Sequence, residues 1–179
     1  YGEGRANGET EAAEYMAEHL RALGLKPELF EADPGRTSVV ARVRGRNSDK
    51  PALVVHGHLD VVPADPANWS VDPFGGVIKD GLLWGRGAVD MKNMDAMIIT
   101  ALQDILGAGS QPERDLVVAF FADEEAGGVQ GSHHLVENHF DAQAYRTTLG
   151  GGARYGTIGT SALHFRVSFC QQPMAPYTG

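Results

Sequence analysis

The stretch "VVHGHLDVVP", residues 54–63, sets two histidines and an aspartate at alternate positions of an apolar run. Its apolar, β-branched start, bounded by Pro51 and Pro63, reads as a strand buried on both faces, the kind found inside α/β sheets. Side chains alternate along a strand, so His56, His58 and Asp60 point to one side. Polar groups on one face of a buried strand are costly unless something binds them. The strand is therefore expected to carry one wall of a ligand site.

Working outward, a second apolar strand lies in "RDLVVAFFAD", residues 114–123. Between the two stands the strongest helical pattern, "DMKNMDAMIITALQDILGAG", residues 90–109. Its expected apolar face is Met94, Met97, Ile98, Ala101, Leu102 and Ile105, ended by Gly107. "GGVIKDGLLWGRG" reads as a hairpin turning at Asp80-Gly81. Upstream, Thr10 can cap a helix whose apolar residues run from Ala13 to Leu23, stopped by Gly24. "KPELFEA" and "TSVVARVRG" read as strands around the Pro34-Gly35 turn. "VQGSHHLVENHF" reads as a further helix. Alternating strands and helices imply an α/β layered sheet. After about residue 145 the composition turns to glycine and small polar residues, and only "ALHFRVSF" alternates like an edge strand.

Composition narrows the function. The net charge is −8 from 15 basic and 23 acidic residues. That balance argues against nucleic acid or an anionic membrane as partner. No apolar run is long enough to span a bilayer. The single cysteine, Cys170, excludes an internal disulfide framework and fits a reducing, cytoplasmic compartment.

Three polar clusters follow strands or turns, where ligands bind in open α/β sheets. They are His58 with Asp60, Asp90 after the "WGRGAV" turn, and Glu124-Glu125 after the second strand. Imidazole with carboxylates suits zinc, cobalt or manganese. Asp60 can hold the His58 imidazole by its second nitrogen. One carboxylate such as Asp90 can bridge two metals. Of the adjacent pair Glu124 and Glu125, one can ligate while the other acts as base. The plainer readings are a helix cap for Asp90 and a solvated acidic turn for the glutamates. His133, His134, His139 and His164 read as hydrogen-bonded core residues, and His56 as either facing the site or bonded to backbone. "GRGAVD" lacks the third glycine of a dinucleotide fingerprint. No G-x-S-x-G elbow is present, which sets a serine hydrolase aside.

In "HGHLDVVP", "WSVDPFGGVIKDGLLWGRGAVDMK" and "FFADEEAGG", over residues 1–141, the chain resembles the M20 metallopeptidase family. That family includes aminoacylases, carboxypeptidases, dipeptidases and acetylornithine or succinyl-diaminopimelate deacylases. The resemblance implies a zinc-exopeptidase-like fold: a three-layer α/β sandwich with a mixed, mostly parallel sheet flanked by helices, here incomplete. It implies two divalent metal ions, zinc before cobalt or manganese. His58 would ligate one, Glu125 the other, and Asp90 both. Glu124 would be the general base and acid, and Asp60 would orient His58. The Asp90-Met91 peptide bond would be cis. The implied substrate is a small peptide or N-acyl amino acid, cut at an amide beside a free carboxylate.

The chain also departs from the family. Leu149 stands before Gly150-Gly151-Gly152, where relatives place a carboxylate ligand. A late histidine ligand and the lid domain, which supplies dimer contacts in the family, are expected beyond this chain. The expected organisation is thus residues 1–145 as the N-terminal part of the catalytic domain. Residues 146–179 would be an aberrant, frameshifted tail or the start of a truncated lid. Each metal would keep two protein ligands where catalytic zinc normally has three, so binding is expected to be weak. The competing expectation is an inactive fragment or non-catalytic α/β module that binds one metal or a partner.

Overall fold

Residues 8–139 are described by the structure, a computed structural model. The elements are α1 (Thr10–Ala22), β1 (Glu28–Asp33), β2 (Arg36–Val43), β3 (Leu53–His58), β4 (Val77–Lys79) and β5 (Leu82–Trp84). They continue with α2 (Asn93–Gly107), β6 (Leu116–Phe121) and α3 (His134–Asn138). The expected domain boundary near residue 145, the Leu149 position and His164 lie outside the described residues.

One sheet has the order β1-β2-β6-β3, and β4-β5 forms a separate hairpin. The sheet is mixed: β1 with β2 and β2 with β6 are antiparallel, while β3 with β6 is parallel. The parallel pair requires a crossover, and the hairpin and α2 supply it. Asp80 and Gly81 turn the hairpin with φ of 55° and 74°, the left-handed pair a tight two-residue turn requires.

Strand alternation makes the layers. Val118 and Phe120 of β6 pack with Ala13, Leu20, Ile98 and Leu102 of α1 and α2. Ala119 and Phe121, pointing the other way, pack with Leu135 of α3. The result is a helix–sheet–helix sandwich. Each fully buried valine, leucine, isoleucine or phenylalanine among them contributes about 1.5–3 kcal/mol.

Three local expectations need correction. Thr10 does not cap α1. Glu9 holds the cap position and pairs with Arg36, while the Thr10 hydroxyl bonds that of Thr37 at 2.8 Å. β3 is not buried on both faces: among the described residues only β6 pairs with it, and Leu53 at its start is 46% exposed. Burial is reached only at its end, at Gly57 and His58. The buried face of α2 is also rotated from the expected one. Asp95, Ile98, Ile99 and Leu102 are inside, whereas Met94 and Met97 are exposed. Packing on β3 places Asp95 inward, ahead of the more apolar methionines.

The register of the parallel pair positions everything that follows. His58 lies opposite Phe121, so both strands end together. The Leu59 amide donates to the Phe121 carbonyl at 2.7 Å, which carries the two exit loops side by side.

Candidate metal centre

His58 ends β3 and is buried. Its Nδ1 lies 3.1 Å from the Asp60 backbone carbonyl and 3.4 Å from Asp60 Oδ1. A carbonyl can only accept, so Nδ1 donates and Nε2 is the nitrogen turned toward the acidic side chains. Nε2 stands 3.1 Å from Asp90 Oδ1 and 3.8 Å from Glu124 Oε2.

Asp90 is not a helix cap. It sits in the irregular turn Ala88–Lys92, with extended φ and ψ of −121° and 95°, and α2 starts three residues later. The Asp90-Met91 bond is cis. Gly87 opens this turn at φ 80°, a backbone state that favours glycine.

The glutamates occupy a short 3-10 turn, Glu124–Ala126. Asp123 enters it in the left-handed region at φ 64°, and the Gly128 amide donates to the Asp123 carbonyl at 2.6 Å. The Asp123 carboxylate accepts from the Gln130 amide at 3.0 Å. The turn is therefore closed on both sides before the glutamate side chains emerge.

Asp60 ties the two loops together. Its carboxylate oxygens accept the Glu124 and Glu125 amides at 3.0 and 2.9 Å, one each. The sequence pattern points to Asp60 as a partner for the imidazole. The grip on the glutamate backbone is additional, and no spacing rule reveals it because it spans 64 and 65 residues.

His58, Glu124 and Glu125 each offer a ligand atom within 4.8 Å of the others. Glu125 Oε1 is buried with no hydrogen-bond partner among the described residues. Electrostatics point the same way. Burial opposes the His58 imidazolium, but hydrogen bonds to Asp60 and Asp90 and the Asp60 and Glu124 charges outweigh it, raising its pKa to about 9. Burial raises Glu124, and the Glu125, Asp60 and Asp90 charges add to this against the pull of His58. Burial also raises Glu125, with Asp90 repelling it. Burial raises Asp60 too, yet the His58 bond and the Glu125 and Glu124 amides prevail and hold it below the usual range. Carboxylates crowded about one imidazole, with an orphaned oxygen among them, fit a divalent cation.

The other histidines stand apart. His56 is half-buried with its ring 5.5 Å from that of Phe121. His134 and His139 are not core residues: they face each other near the surface, Nε2 to Nε2 at 3.2 Å. Two further polar groups, Lys92 and Asp95, lie behind the His58 strand. Asp95 has a sequence signal, since it shares the helical face of Ile98, Ile99 and Leu102 at spacings of three, four and seven.

The model of peptidase family M20/M25/M40 matches residues 54–169. A succinyl-diaminopimelate desuccinylase from Alkalilimnicola ehrlichii is 41% identical over 68% of this chain and 32% of its own length. Aminoacylase-1 from Sus scrofa is 35% identical over 70% of this chain and 31% of its own. Among solved structures, an M20 family metallo-carboxypeptidase from Sulfolobus solfataricus superposes with a TM-score of 0.62 at 28% identity. That match covers 73% of this chain and 29% of that one. The chain thus spans about a third of the length of the relatives it matches. On the extent of the family match, with the mixed sheet and the convergent histidine and carboxylates at its strand ends, the chain belongs to peptidase family M20/M25/M40.

Proposed function

We propose that this chain carries one wall of a two-metal hydrolase centre. The centre would cleave an amide or peptide bond beside a free carboxylate, in an N-acyl amino acid or a small peptide. The observation that carries the reading is the convergence of Asp90 Oδ1 and Glu124 Oε2 on His58 Nε2, with Glu125 alongside. The names of the relatives, a desuccinylase, an aminoacylase and a carboxypeptidase, support the substrate class.

His58 and Asp90 would hold one ion and Asp90 and Glu125 the other, zinc being the first choice for this donor set. Bound divalent metal supplies Lewis acidity and lowers the pKa of water from about 15.7 toward 7. The rest falls to the chain. Asp60 keeps Nδ1 of His58 turned away so that Nε2 faces the site, and it fixes the glutamate turn through both amides. Glu124 accepts the proton of the attacking water and returns it to the leaving nitrogen. Burial raises its pKa above the usual carboxylate value, the direction that strengthens it as a base.

The test separates the two glutamates. In protein carrying this chain, Glu124→Ala should abolish hydrolysis of N-acyl amino acids and dipeptides yet leave metal content unchanged. Glu125→Ala should lower metal content. Loss of metal from Glu124→Ala would show the roles to be reversed. Unaltered turnover in both variants would overturn the reading.

A further inference from the structure

Asp95 is costly where it sits. It points inward from the first turn of α2, is 3% exposed, and neither carboxylate oxygen has a hydrogen-bond partner among the described residues. A buried, unpartnered carboxylate destabilises a fold, and an apolar side chain of similar size would not. Its surroundings show what it could serve. A Cβ added to Gly57 would collide with Asp95 Oδ1, so the strand that carries His58 runs directly over this carboxylate. Three residues earlier, Lys92 donates from Nζ to the backbone carbonyl of Leu59, the residue after His58. The Lys92 amide donates to the Gly87 carbonyl at 2.8 Å, closing the turn that contains Asp90. Burial lowers the Lys92 pKa, against the opposing charges of Asp95, Asp60 and Glu9.

From this juxtaposition we infer that Lys92 and Asp95 are positioning residues. Lys92 ties the Asp90 turn to the chain just past His58. Asp95 lies beneath Gly57, and its charge acts on the ammonium from that side. Between them they set the spacing of His58 Nε2 and Asp90 Oδ1, and hence the bite offered to a metal ion. The inference rests on the metal-centre reading above.

The test uses the 179-residue chain as wild type, Lys92→Met, Lys92→Arg and Asp95→Leu. Cobalt(II) is titrated in and followed by its visible absorption, and each metal-free protein is melted in parallel. Lys92→Met and Asp95→Leu should weaken cobalt binding by about tenfold or more, as loss of groups that orient ligands does. They should also alter the band shape. Lys92→Arg should keep more affinity than Lys92→Met. Asp95→Leu should melt no lower than wild type, a separation of stability from affinity that a purely structural role would not give. Wild-type cobalt affinity in Lys92→Met and Asp95→Leu would overturn the inference alone. So would a loss of affinity in Asp95→Leu that merely tracks a lower melting temperature. Absence of cobalt binding by the wild type would overturn the metal-centre reading and this inference with it.

Discussion

At the scale of single residues, the chain places charge where solvent is scarce. Asp60 is stabilised there by two backbone amides and an imidazole; Asp95 has no such partners among the described residues. Burial therefore pushes the Asp95 carboxyl up from 3.8 to about 6, against the pull of Lys92 and His58. The sign of the pH effect follows. A pKa raised in the folded state gives stability that is fully present below the unfolded value and lost as pH rises through the folded value. The metal-free chain should thus lose stability between pH 4 and about 6 on account of Asp95. Asp95→Asn cannot ionise, so thermal melts across that range should show its advantage over wild type widening with pH. A constant difference between the two proteins would contradict this. That His58, Asp90, Glu124 and Glu125 come near one another was legible because each stands at the end of a strand or just after a strand or tight turn. The Asp60 grip on the glutamate amides was not, since it depends on two loops being brought together by β3 and β6.

At the scale of elements, the parallel pairing of β3 with β6 is the feature on which the site depends. Both strands were visible as β-branched and aromatic runs, and α2 as a 3.6-residue period. Their exposure was less readable. A run of valines does not say whether a strand lies inside a sheet or at its edge, so β3 read as fully buried. The helical period left the buried face of α2 ambiguous by one position, and Asp95 decided it. The neighbouring β2–β6 pairing has its own clamp. Asp115, buried, accepts from the Gly45 amide and Arg42 Nε at 2.6 Å each, with Arg44 at 3.3 Å. Burial raises its pKa, but the Gly45 amide and Arg42 prevail and lower it. Its contribution is then present above the unfolded pKa and lost as pH falls. Asp115→Ala should cost about 2 kcal/mol at neutral pH in urea denaturation, most of it from the amide and Arg42, because Arg44 is largely exposed and screened. A cost that persists undiminished at pH 3 would contradict the assignment.

At the scale of the whole molecule, the family match, the mixed sandwich and the site describe one layered body whose β3 edge is unpaired among the described residues. Leu53 and Met97 are exposed along that side, with Met94 nearby on the same helix. Open apolar edges favour association between copies. Light scattering of the purified chain should show association that rises with concentration and falls in a Leu53→Lys, Met97→Lys double variant. No helix among the described residues is long and apolar enough to cross a membrane. The proposed metal-binding wall consists of His58, Asp90 and Glu125. Calorimetric titration of zinc into the metal-free chain and into His58→Ala separates binding at this wall from binding elsewhere. The wild type should bind zinc saturably and His58→Ala should weaken that binding by about tenfold or more; equal binding by both proteins, or none by the wild type, would contradict the proposed wall.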